Sequence, residues 1–322
     1  MRVLVTGGAG YIGSTLVPLL LSAGHQVRVL DSLLHGGSSL LGVWSHPHFE
    51  FVRGDIQVPG QVEPALADVD AVVHLAAIVG DPACSREKDL ARAVNLDASL
   101  ALIDASRRAG VARFIFGSTC SNYGKMSDPS SMVDETAELR PVSLYAETKV
   151  AVELALLNGS NVDGWSPTPL RFATVFGVSP RMRFDLTINE FAMVMLTQKR
   201  LQVFGEQFWR PYIHVHDVAR AILLVLQAPP EKVSHRVFNV GATDQNYQKQ
   251  QLVRMIQPHV GDAVVEYVHR AEDPRDYRVS FSRINKELGF TISRTVEQGI
   301  REVIDLVRSG VIDDCNAPGF RN

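Results

Sequence analysis

Cysteine and long apolar runs are both scarce in this sequence. Its 322 residues include three cysteines, an odd number, widely spaced and without a CxxC pair. No disulfide framework or zinc site therefore follows. The apolar run Leu16–Leu21 contains Pro18 and is too short to span a bilayer. The start of the chain lacks the pattern of a signal peptide, so we expect a cytoplasmic protein that does not bind membranes.

A strong charge of one sign is also absent. The 32 basic and 35 acidic residues leave a net charge of −3, which argues against a polybasic surface for nucleic acid or anionic membranes. With 46% hydrophobic and 21% charged residues, the composition is that of a globular protein with a large core. At roughly 150 residues per domain, the length predicts about two domains or one large α/β unit.

Short apolar runs alternate with helical stretches through the first half. Helical spacing over Ile12–Ala23 and Val94–Ala109 separates runs that are mostly β-branched or aromatic. Each run predicts a strand buried on both faces, so we expect a doubly wound α/β fold with a parallel sheet. The predicted strands are Arg2–Thr6, Val27–Leu30, Phe49–Val52, Ala71–Leu75 and Arg113–Phe116.

The second half is less regular because prolines interrupt it. Val237–Val240 predicts one more strand, and the polar tail from Asp313 onward predicts a loosely held end. We expect a smaller, mostly C-terminal α/β domain woven from two segments. The expected division is a first domain over residues 1–177, to which residues 215–250 return, and a second domain over residues 178–214 and 251–322.

A glycine-rich turn follows the first predicted strand and opens a helix. It satisfies both the GxxGxxG and the GxGxxG pattern in the context that dinucleotide binding requires. Glycines allow the tight turn and let the backbone approach a pyrophosphate, which the N–H groups and dipole at the helix start stabilise. We therefore expect a Rossmann-type domain, with a plain strand–helix turn as the alternative. The motif reads Gly7, Gly8, Ala9, Gly10, Tyr11, Ile12 and Gly13.

An acidic residue ends the next predicted strand. Asp31 lies about 20 residues after the glycines, where a carboxylate accepts hydrogen bonds from the adenosine ribose hydroxyls. It would repel a 2′-phosphate, and neither Arg nor Lys follows in Ser32-Leu33-Leu34, so NAD is favoured over NADP. After the third strand, Asp55 and Ile56 are candidates for holding the adenine, with a plain turn as the alternative.

Tyr145 and Lys149 are four residues apart, which places them on the same face of a helix. A nearby ammonium lowers the pKa of a tyrosine from its usual value near 10, so the phenolate becomes accessible as a general base. The same lysine can hold the nicotinamide ribose. The alternative is an exposed helix face, which would be preferred without the glycine motif upstream.

Several short motifs occur together in the order found in one known family. In them the chain resembles the extended short-chain dehydrogenase/reductase family, most strongly its NAD-dependent nucleotide-sugar epimerases and dehydratases. The segment Arg210–Ala219 extends this similarity over essentially the whole chain. Beside the glycine motif and Asp31, the matching residues are Gly54-Asp55, His74–Ala77, Asn95, Gly117–Thr119, Tyr123-Gly124, Tyr145 with Lys149, and Arg171-Phe172.

The resemblance implies an enzyme that keeps NAD bound and passes a hydride from a sugar carbon to NAD and back. Tyr145 would then act as the base. Thr119 would bond the sugar hydroxyl and help its proton reach Tyr145. Asn95 would support the central strands and helix beside the cofactor. The cofactor path would be lined by Leu75, Ala76 and Ala77.

The resemblance also implies a nucleotide-diphosphate sugar as the substrate, with a UDP-sugar favoured. Asn189 resembles the family asparagine that binds the diphosphate, and Arg210 and Arg275 resemble arginines that grip it with forked, charged donors. For Arg275, a surface ion pair is the alternative. Thr174 lies where many members present a sugar-contacting residue. Family members commonly pair through two helices each, which implies a homodimer.

The two positions after Thr119 depart from the dehydratase pattern. Family 4,6-dehydratases carry an Asp-Glu pair there, whereas this sequence has Cys120 and Ser121. We therefore expect a 4-epimerase that acts through a transient 4-keto sugar. The alternative is a dehydratase, or a C3 or C5 epimerase, that uses the Cys120 thiol as an acid or base, although a free cysteine is more often a small buried residue. A non-catalytic NAD-binding protein is a third possibility.

Two histidines have a spacing that could bind a metal. His214 and His216 flank a predicted strand one residue apart, on the same face. No third ligand is evident, and the family resemblance explains the segment, so we expect no metal.

Overall fold

The computed structural model describes residues 1–126, 131–159, 164–269 and 275–322. Its strands are β1 (Arg2–Thr6), β2 (Gln26–Asp31), β3 (Phe49–Arg53), β4 (Ala71–His74), β5 (Arg113–Thr119), β6 (Ser166–Phe172), β7 (Thr174–Phe176), β8 (Arg200–Phe204), β9 (Trp209–His214), β10 (Phe238–Val240), β11 (Asn246–Gln248) and β12 (Val264–Val268). Its α-helices are α1 (Gly13–Ser22), α2 (Pro59–Ala65), α3 (Asp81–Arg86), α4 (Lys88–Arg92), α5 (Ala98–Arg108), α6 (Leu144–Leu157), α7 (Thr187–Thr197), α8 (Val215–Gln227), α9 (Pro230–Val233), α10 (Lys249–Val260), α11 (Ser282–Leu288) and α12 (Val296–Ser309).

A seven-stranded parallel sheet forms the larger body of the molecule. Its order is β10-β6-β5-β4-β1-β2-β3, and every neighbouring pair is parallel. Helices cover both faces, so the Rossmann-type doubly wound fold expected from the sequence is confirmed. The direction in which strands are added reverses between β1 and β4, and this opens a crevice at the carboxyl ends of the strands.

The two faces of this sheet carry separate cores because successive side chains of a strand point to opposite faces. In β1, Val3 and Val5 belong to a core shared with α1 and α8. Leu4, between them, belongs to a second core shared with α2, α5 and α6. The pattern of buried apolar residues in the strands therefore fixes which helices lie on which face.

A smaller body is built from two short sheets. β9 pairs with β7 in parallel and with β11 antiparallel, and β8 pairs with β12 in parallel. Helices α7, α10 and α12 share a core with these strands, and Phe176 and Phe184 lie in it. Val279 and Phe281 instead lie in the core of the large sheet, beside α11 and β10. We had expected the segment 251–322 to lie wholly in the smaller body. Part of it instead packs on the large sheet.

Three local features differ from the sequence expectation. The strand β3 is only half-buried, because it is the edge of the sheet and has one neighbour. The helix expected over Val94–Ala109 begins with a π-helical turn, Ala93–Asp97, before α5. His216 lies in α8 rather than at a strand end, and His214 caps that helix, its Nδ1 accepting the N–H of His216 at 3.2 Å.

The C-terminal tail is packed rather than loose. Cys315 is buried, and the ring of Phe320 lies 5.9 Å from that of Phe184 in an edge-on arrangement. The N–H of Phe184 donates to the carbonyl oxygen of Phe320 at 2.9 Å. The expectation of a loose end was wrong because these few apolar side chains reach the smaller core. No helix within the described ranges is long and apolar enough to cross a membrane.

Candidate active site

An elongated cavity lies at the carboxyl ends of the central strands, where the strand order reverses. Its volume is about 550 Å³, within the range of small-molecule sites. Most of the predicted site residues line it, whereas Asn95, Cys120 and Asn189 lie elsewhere. The predicted residues that line it are Gly7, Gly10, Tyr11, Ile12, Gly13, Asp31, Asp55, Ile56, Leu75, Ala76, Ala77, Thr119, Tyr145, Lys149, Thr174, Arg210 and Arg275.

The turn between β1 and α1 has no room for side chains. Gly7 has a φ of +73°, and a Cβ there would lie 2.7 Å from the amide nitrogen of Ala76. A Cβ on Gly13 would lie 2.3 Å from the carbonyl oxygen of Gly7. The start of α1 therefore comes close to β1 and lines the cavity, where its N–H groups and dipole suit a diphosphate.

Asp31, at the end of β2, contacts this turn. Its Oδ2 accepts the N–H of Ala9 at 2.9 Å, and its Oδ1 accepts the N–H of Leu33 at 2.8 Å. Burial raises the pKa of the Asp31 carboxyl from its usual value, and the two N–H bonds oppose that shift. Each oxygen keeps a further lone pair, so the carboxylate can still accept ribose hydroxyls. In the loop after β3, Asp55 accepts the N–H of Gln57 at 2.9 Å.

Helix α6 brings Tyr145 and Lys149 to the cavity wall. Its cap is Ser143, whose Oγ accepts the N–H of Ala146 at 3.3 Å, so Tyr145 lies in the first turn. Lys149 follows one turn later, and its Nζ donates to the carbonyl oxygen of Gly117 at 2.8 Å. The ammonium lies 5.9 Å from the centre of the Tyr145 ring. The two residues thus share one face, as their spacing predicts.

Burial controls the ionisation of this pair. Lys149 is 3% exposed, and burial lowers its pKa to about 8. Burial also raises the pKa of Tyr145 well above its usual value, and the charge of Arg183 only partly offsets this. The expectation that Lys149 lowers the tyrosine pKa is not met. Its ammonium donates to Gly117 and lies 4.6 Å from the centre of the Phe116 ring rather than at the phenol oxygen.

Thr119 ends β5 at the cavity wall. Its Oγ1 accepts the N–H of Ser121 at 3.1 Å, which fixes its rotamer and leaves its hydroxyl proton available to donate. Ser121 and Tyr277, of which the sequence did not indicate Tyr277, also line the cavity, and their hydroxyls lie 3.3 Å apart. The guanidinium of Arg210 lies 5.3 Å from the centre of the Tyr277 ring. This wall is therefore rich in hydroxyl groups.

A buried ion pair fastens α6 to β5 and β6. Glu153 is fully buried and Arg171 is 3% exposed. Arg171 Nε donates to Glu153 Oε1 at 3.0 Å, and Ser118 Oγ donates to Glu153 Oε2 at 2.9 Å. Arg171 Nη1 also donates to the hydroxyl of Tyr123 at 2.8 Å. The pair therefore fixes the loop around the predicted threonine relative to the helix that carries the predicted tyrosine.

The far end of the cavity carries arginines. Arg210 on β9 is 8% exposed and donates to the carbonyl oxygen of Trp209 at 2.7 Å. Arg275 forms an ion pair, as its alternative interpretation proposed, with 2.6 Å between Arg275 Nη1 and Asp81 Oδ2. Both members of that pair line the cavity, and Thr174 at the start of β7 lies on the same wall. Asp81 is a site residue that the motifs did not indicate.

Asn95 and Asn189 use their amides within the protein. Asn95 Oδ1 accepts the N–H of Ile78 at 2.8 Å and its Nδ2 donates to the carbonyl oxygen of the same residue at 2.9 Å. Asn189 is fully buried, accepts the N–H of Gly177 at 2.9 Å and donates to the carbonyl oxygen of Arg183 at 2.9 Å. Both amides are therefore occupied by contacts within the protein, and the roles expected of Asn95 beside the cofactor and of Asn189 at the diphosphate stay predictions. Each supports a loop that lines the cavity.

The Cys120 side chain points away from the cavity. It is 1% exposed, and its thiol donates to the carbonyl oxygen of Arg171 at 3.3 Å. Burial raises the pKa of the thiol well above its usual value. Thr119 ends β5 at the cavity, whereas Cys120 begins the 3₁₀ turn Cys120–Tyr123 and its side chain packs in the core. This position favours the interpretation of Cys120 as a small buried residue over its use as an acid or base.

The two histidines considered as metal ligands have other partners. His214 Nε2 lies 3.1 Å from Glu302 Oε2, and burial lowers the pKa of His214 to about 4. His216 Nδ1 lies 3.2 Å from Nη1 of Arg294. In the ranges that the structure describes, no three His, Cys, Asp or Glu side chains form a group that could hold a metal ion.

Two further arginines line the cavity without having been predicted. Arg181 and Arg183 follow β7 and are 6% and 7% exposed. Arg183 is paired with Asp185, its Nε donating to Oδ1 at 2.9 Å. In the sequence, Arg181 and Arg183 alternate with the apolar Met182 and Phe184, and Asp185 follows. This short alternation is the signal that could have indicated the two arginines.

A comparison with protein families decides the class of this site. The model of the NAD dependent epimerase/dehydratase family matches residues 3–241. The chain belongs to this family. It is therefore an NAD-dependent enzyme, and the resemblance drawn from the motifs is confirmed.

Relatives of both reaction types are similar to the chain over nearly its full length. A UDP-glucose 4-epimerase of Corynebacterium glutamicum is 30% identical, with 92% of each chain covered. A dTDP-glucose 4,6-dehydratase of Streptomyces griseus is 31% identical, covering 94% of this chain and 93% of the relative. The Thermus thermophilus UDP-glucose 4-epimerase in complex with NAD has a TM-score of 0.84 at 28% identity, covering 97% of this chain and 100% of that one.

We expect Glu153→Gln to lower the free energy of unfolding by about 3–5 kcal/mol, because it leaves the Arg171 guanidinium buried without its counter-charge. Arg171→Met should cost a similar amount. The double variant should lose clearly less than the sum of the two, since no unpaired charge remains. Urea denaturation of the three variants measures these changes.

The control for this cycle is the exposed pair of Arg301 and Glu297 on α12. Glu297→Gln should change the free energy of unfolding by less than about 1 kcal/mol. If Glu153→Gln cost no more than Glu297→Gln, the buried pair would not have the role given to it.

We expect Lys149→Met to change how the stability of the NAD-free protein depends on pH. A lysine whose pKa is about 8 when folded and near 10.4 when unfolded costs the folded state on the order of 3 kcal/mol while both states are charged. That cost is fully present below pH 8. It disappears as the pH rises to about 10.4, because the folded state releases its proton first. Urea denaturation should show the wild type gaining stability relative to Lys149→Met across this window.

Lys88→Met is the matched control, since Lys88 is exposed at the surface. Its stability should stay parallel to that of the wild type from pH 8 to pH 10. A Lys149→Met curve that also ran parallel to the wild type would contradict the role of burial.

Proposed function

We propose that the protein is a nucleotide-sugar 4-epimerase that acts with bound NAD. One observation carries the proposal: Thr119, Tyr145 and Lys149 line the cavity, whereas the two residues after Thr119 offer it no carboxylate. Cys120 is buried away from it, and Ser121 contributes a hydroxyl. The reversible oxidation of a sugar hydroxyl needs only a proton acceptor and a hydride acceptor, whereas elimination of water also needs a proton donor and a base at other atoms.

The chain's own residues handle the proton of the sugar hydroxyl. Thr119 bonds that hydroxyl and passes its proton to the Tyr145 phenolate. Lys149, with a pKa of about 8, is positively charged at neutral pH and lies 5.9 Å from the centre of the Tyr145 ring, where it would hold the nicotinamide ribose. The glycine turn and Asp31 would hold NAD, which would supply the hydride acceptor for C4 of the sugar and the hydride for its opposite face. The 4-keto sugar rotates between the two hydride transfers, and Tyr145 then returns the proton to the sugar oxygen.

The substrate we propose is a UDP-sugar. Arg210 and Arg275 give the far end of the cavity two forked cations, which suit a diphosphate. Thr174 would contact the sugar. A relative solved with UDP-glucose, the Thermotoga maritima UDP-glucose 4-epimerase, has a TM-score of 0.85 at 28% identity. We assign the diphosphate of the substrate to the smaller body and the dinucleotide to the domain that begins with β1.

We further propose a homodimer formed through α5 and α6. Leu154 on α6 is 45% exposed, and Leu100 on α5 is partly exposed beside the core of that face. Apolar side chains on two neighbouring helices give a second copy a surface to cover.

A dehydratase is the second candidate, and Asp81 is the observation that favours it. Its carboxylate lies in the cavity, and its charge acts on Tyr145. An enzyme that eliminates water needs an acid or base at the sugar beyond the tyrosine. In the structure, however, Asp81 is held by Arg275.

The reaction should be visible when a panel of nucleotide sugars, led by UDP-hexoses, is incubated with the protein in deuterated water. For a 4-epimerase we expect an isomer of unchanged mass with no deuterium on carbon, because the hydride returns to the atom it left. Mass spectrometry and NMR measure both properties. Heat-denatured protein is the control. A product lighter by one water, with deuterium beside the keto carbon, would identify a dehydratase instead.

Variants at two neighbouring parts of the site should differ in their effect on turnover. Tyr145→Phe removes the base and should lower kcat by about 10²- to 10⁴-fold. Cys120→Ala should leave kcat within a few-fold of the wild type, because the thiol faces the core. Steady-state kinetics on the substrate found in the panel measures both.

The result for Cys120→Ala decides whether the thiol takes part in the reaction. A loss of kcat as large as that of Tyr145→Phe, in a variant that keeps its thermal stability, would return the thiol to the reaction. Asp81→Asn tests the second candidate in the same assay, since it should abolish water elimination but not 4-epimerisation.

A further inference from the structure

The segment after β7 docks on the start of α1. Ser179 Oγ donates to the carbonyl oxygen of Tyr11 at 2.7 Å, and the N–H of Arg181 donates to Ser14 Oγ at 3.2 Å. Thr15 Oγ1 donates to Ser179 Oγ at 3.2 Å. A loop that leads into the smaller body is thereby fixed against the helix terminus that lines the dinucleotide half of the cavity.

Arg181 is a buried cation with an unused donor. It is 6% exposed and lines the cavity, and its Nη2 donates to the carbonyl oxygen of Arg321 at 2.9 Å. Its Nε has no hydrogen-bond partner among the described residues. Burial, with the charge of Arg183, lowers the pKa of Arg181 only to about 10, so the side chain is charged at neutral pH. The charge of Asp185 compensates this burial only in part, and an anion in the cavity would relieve the remaining cost.

The neighbours of Arg181 locate that anion. Arg181 and the loop Leu34–Gly36 line the same cavity as the start of α1. The pKa of His35 is lowered first by burial and then by the charges of Arg181 and Arg183, so the cations lie near this loop. The loop follows β2, whose last residue is the acidic residue predicted to bind ribose.

We infer that Arg181 is a ligand of a diphosphate that lies at the start of α1, donating from its guanidinium. Such a diphosphate would be held from both sides, by backbone dipoles of the large domain and by a side chain of the segment that leads into the smaller body. We favour the dinucleotide as the source of this diphosphate. The diphosphate of the substrate is assigned to Arg210 and Arg275, which lie on the wall of the cavity that carries Thr174. The inference rests on NAD dependence and not on the reaction proposed above.

The test is the affinity of Arg181→Met for NAD and for UDP, measured separately by isothermal titration calorimetry on the NAD-free full-length chain. A charge-assisted hydrogen bond to a diphosphate predicts that NAD affinity falls about tenfold to a hundredfold. UDP affinity should stay unchanged. A fall in UDP affinity alone would support the diphosphate ligand but assign it to the nucleotide sugar. Unchanged affinity for both would overturn the inference.

Two further variants keep the test decisive. Arg28→Met is the matched control, because Arg28 is nearly as buried but donates to the carbonyl oxygens of Ala65 and Ala67, away from the cavity. It should leave both affinities unchanged. Arg181→Gln removes the charge with less loss of packing, and it replaces Arg181→Met if that variant does not fold. Wild-type affinities in Arg181→Gln would equally overturn the inference. Because both readouts are binding, they can fail while the deuterium experiment still identifies an epimerase.

Discussion

The ion pair between Glu153 and Arg171 is the contact on which the reactive centre depends. Two charges taken out of water are tolerated only when their remaining donors and acceptors are filled, and here Ser118 and Tyr123 help to fill them. The bonds join α6, β5 and β6 at one point. Lys149, one turn before Glu153 on α6, donates to the carbonyl oxygen of Gly117 on β5 at 2.8 Å and so joins the same elements.

Burial that stabilises the fold also sets the chemistry of the cavity. The pKa of Lys149 falls and those of Tyr145 and Asp31 rise for the same reason, because each loses the water that would solvate its charged form. A tyrosine that must act as a base then needs a cation beside it and a bonded hydroxyl to deliver the proton. The charge of Arg183 partly lowers the pKa of Tyr145 and Thr119 supplies the hydroxyl, so the site is consistent with proton transfer at a sugar hydroxyl.

Local patterns were enough to predict the glycine turn and six of the seven strands of the large sheet, since β-branched runs and the spacing of Gly7, Gly10 and Gly13 act over a few residues. The strand β6 was missed because two prolines interrupt its apolar run. The direction of Cys120 was not predictable from composition, because it depends on how far β5 extends, and the strand continues to Thr119 rather than ending at Phe116. Arg181 was missed for a different reason. Its contact with Ser14 spans 167 residues of sequence, and no local pattern records such a contact.

The division of the cavity between two bodies suits an enzyme that uses its cofactor twice in one turnover. In the proposed 4-epimerase, the sugar must rotate between the two hydride transfers while the cofactor stays in place. Backbone N–H groups at the start of α1 can hold a diphosphate, but they belong to the large domain alone. A ligand from the segment after β7, as inferred for Arg181, would add a contact from the segment that leads into the smaller body, so the cofactor would be held from both sides while the keto sugar is present. A reductase that exchanges its cofactor at every turnover would gain nothing from such a contact.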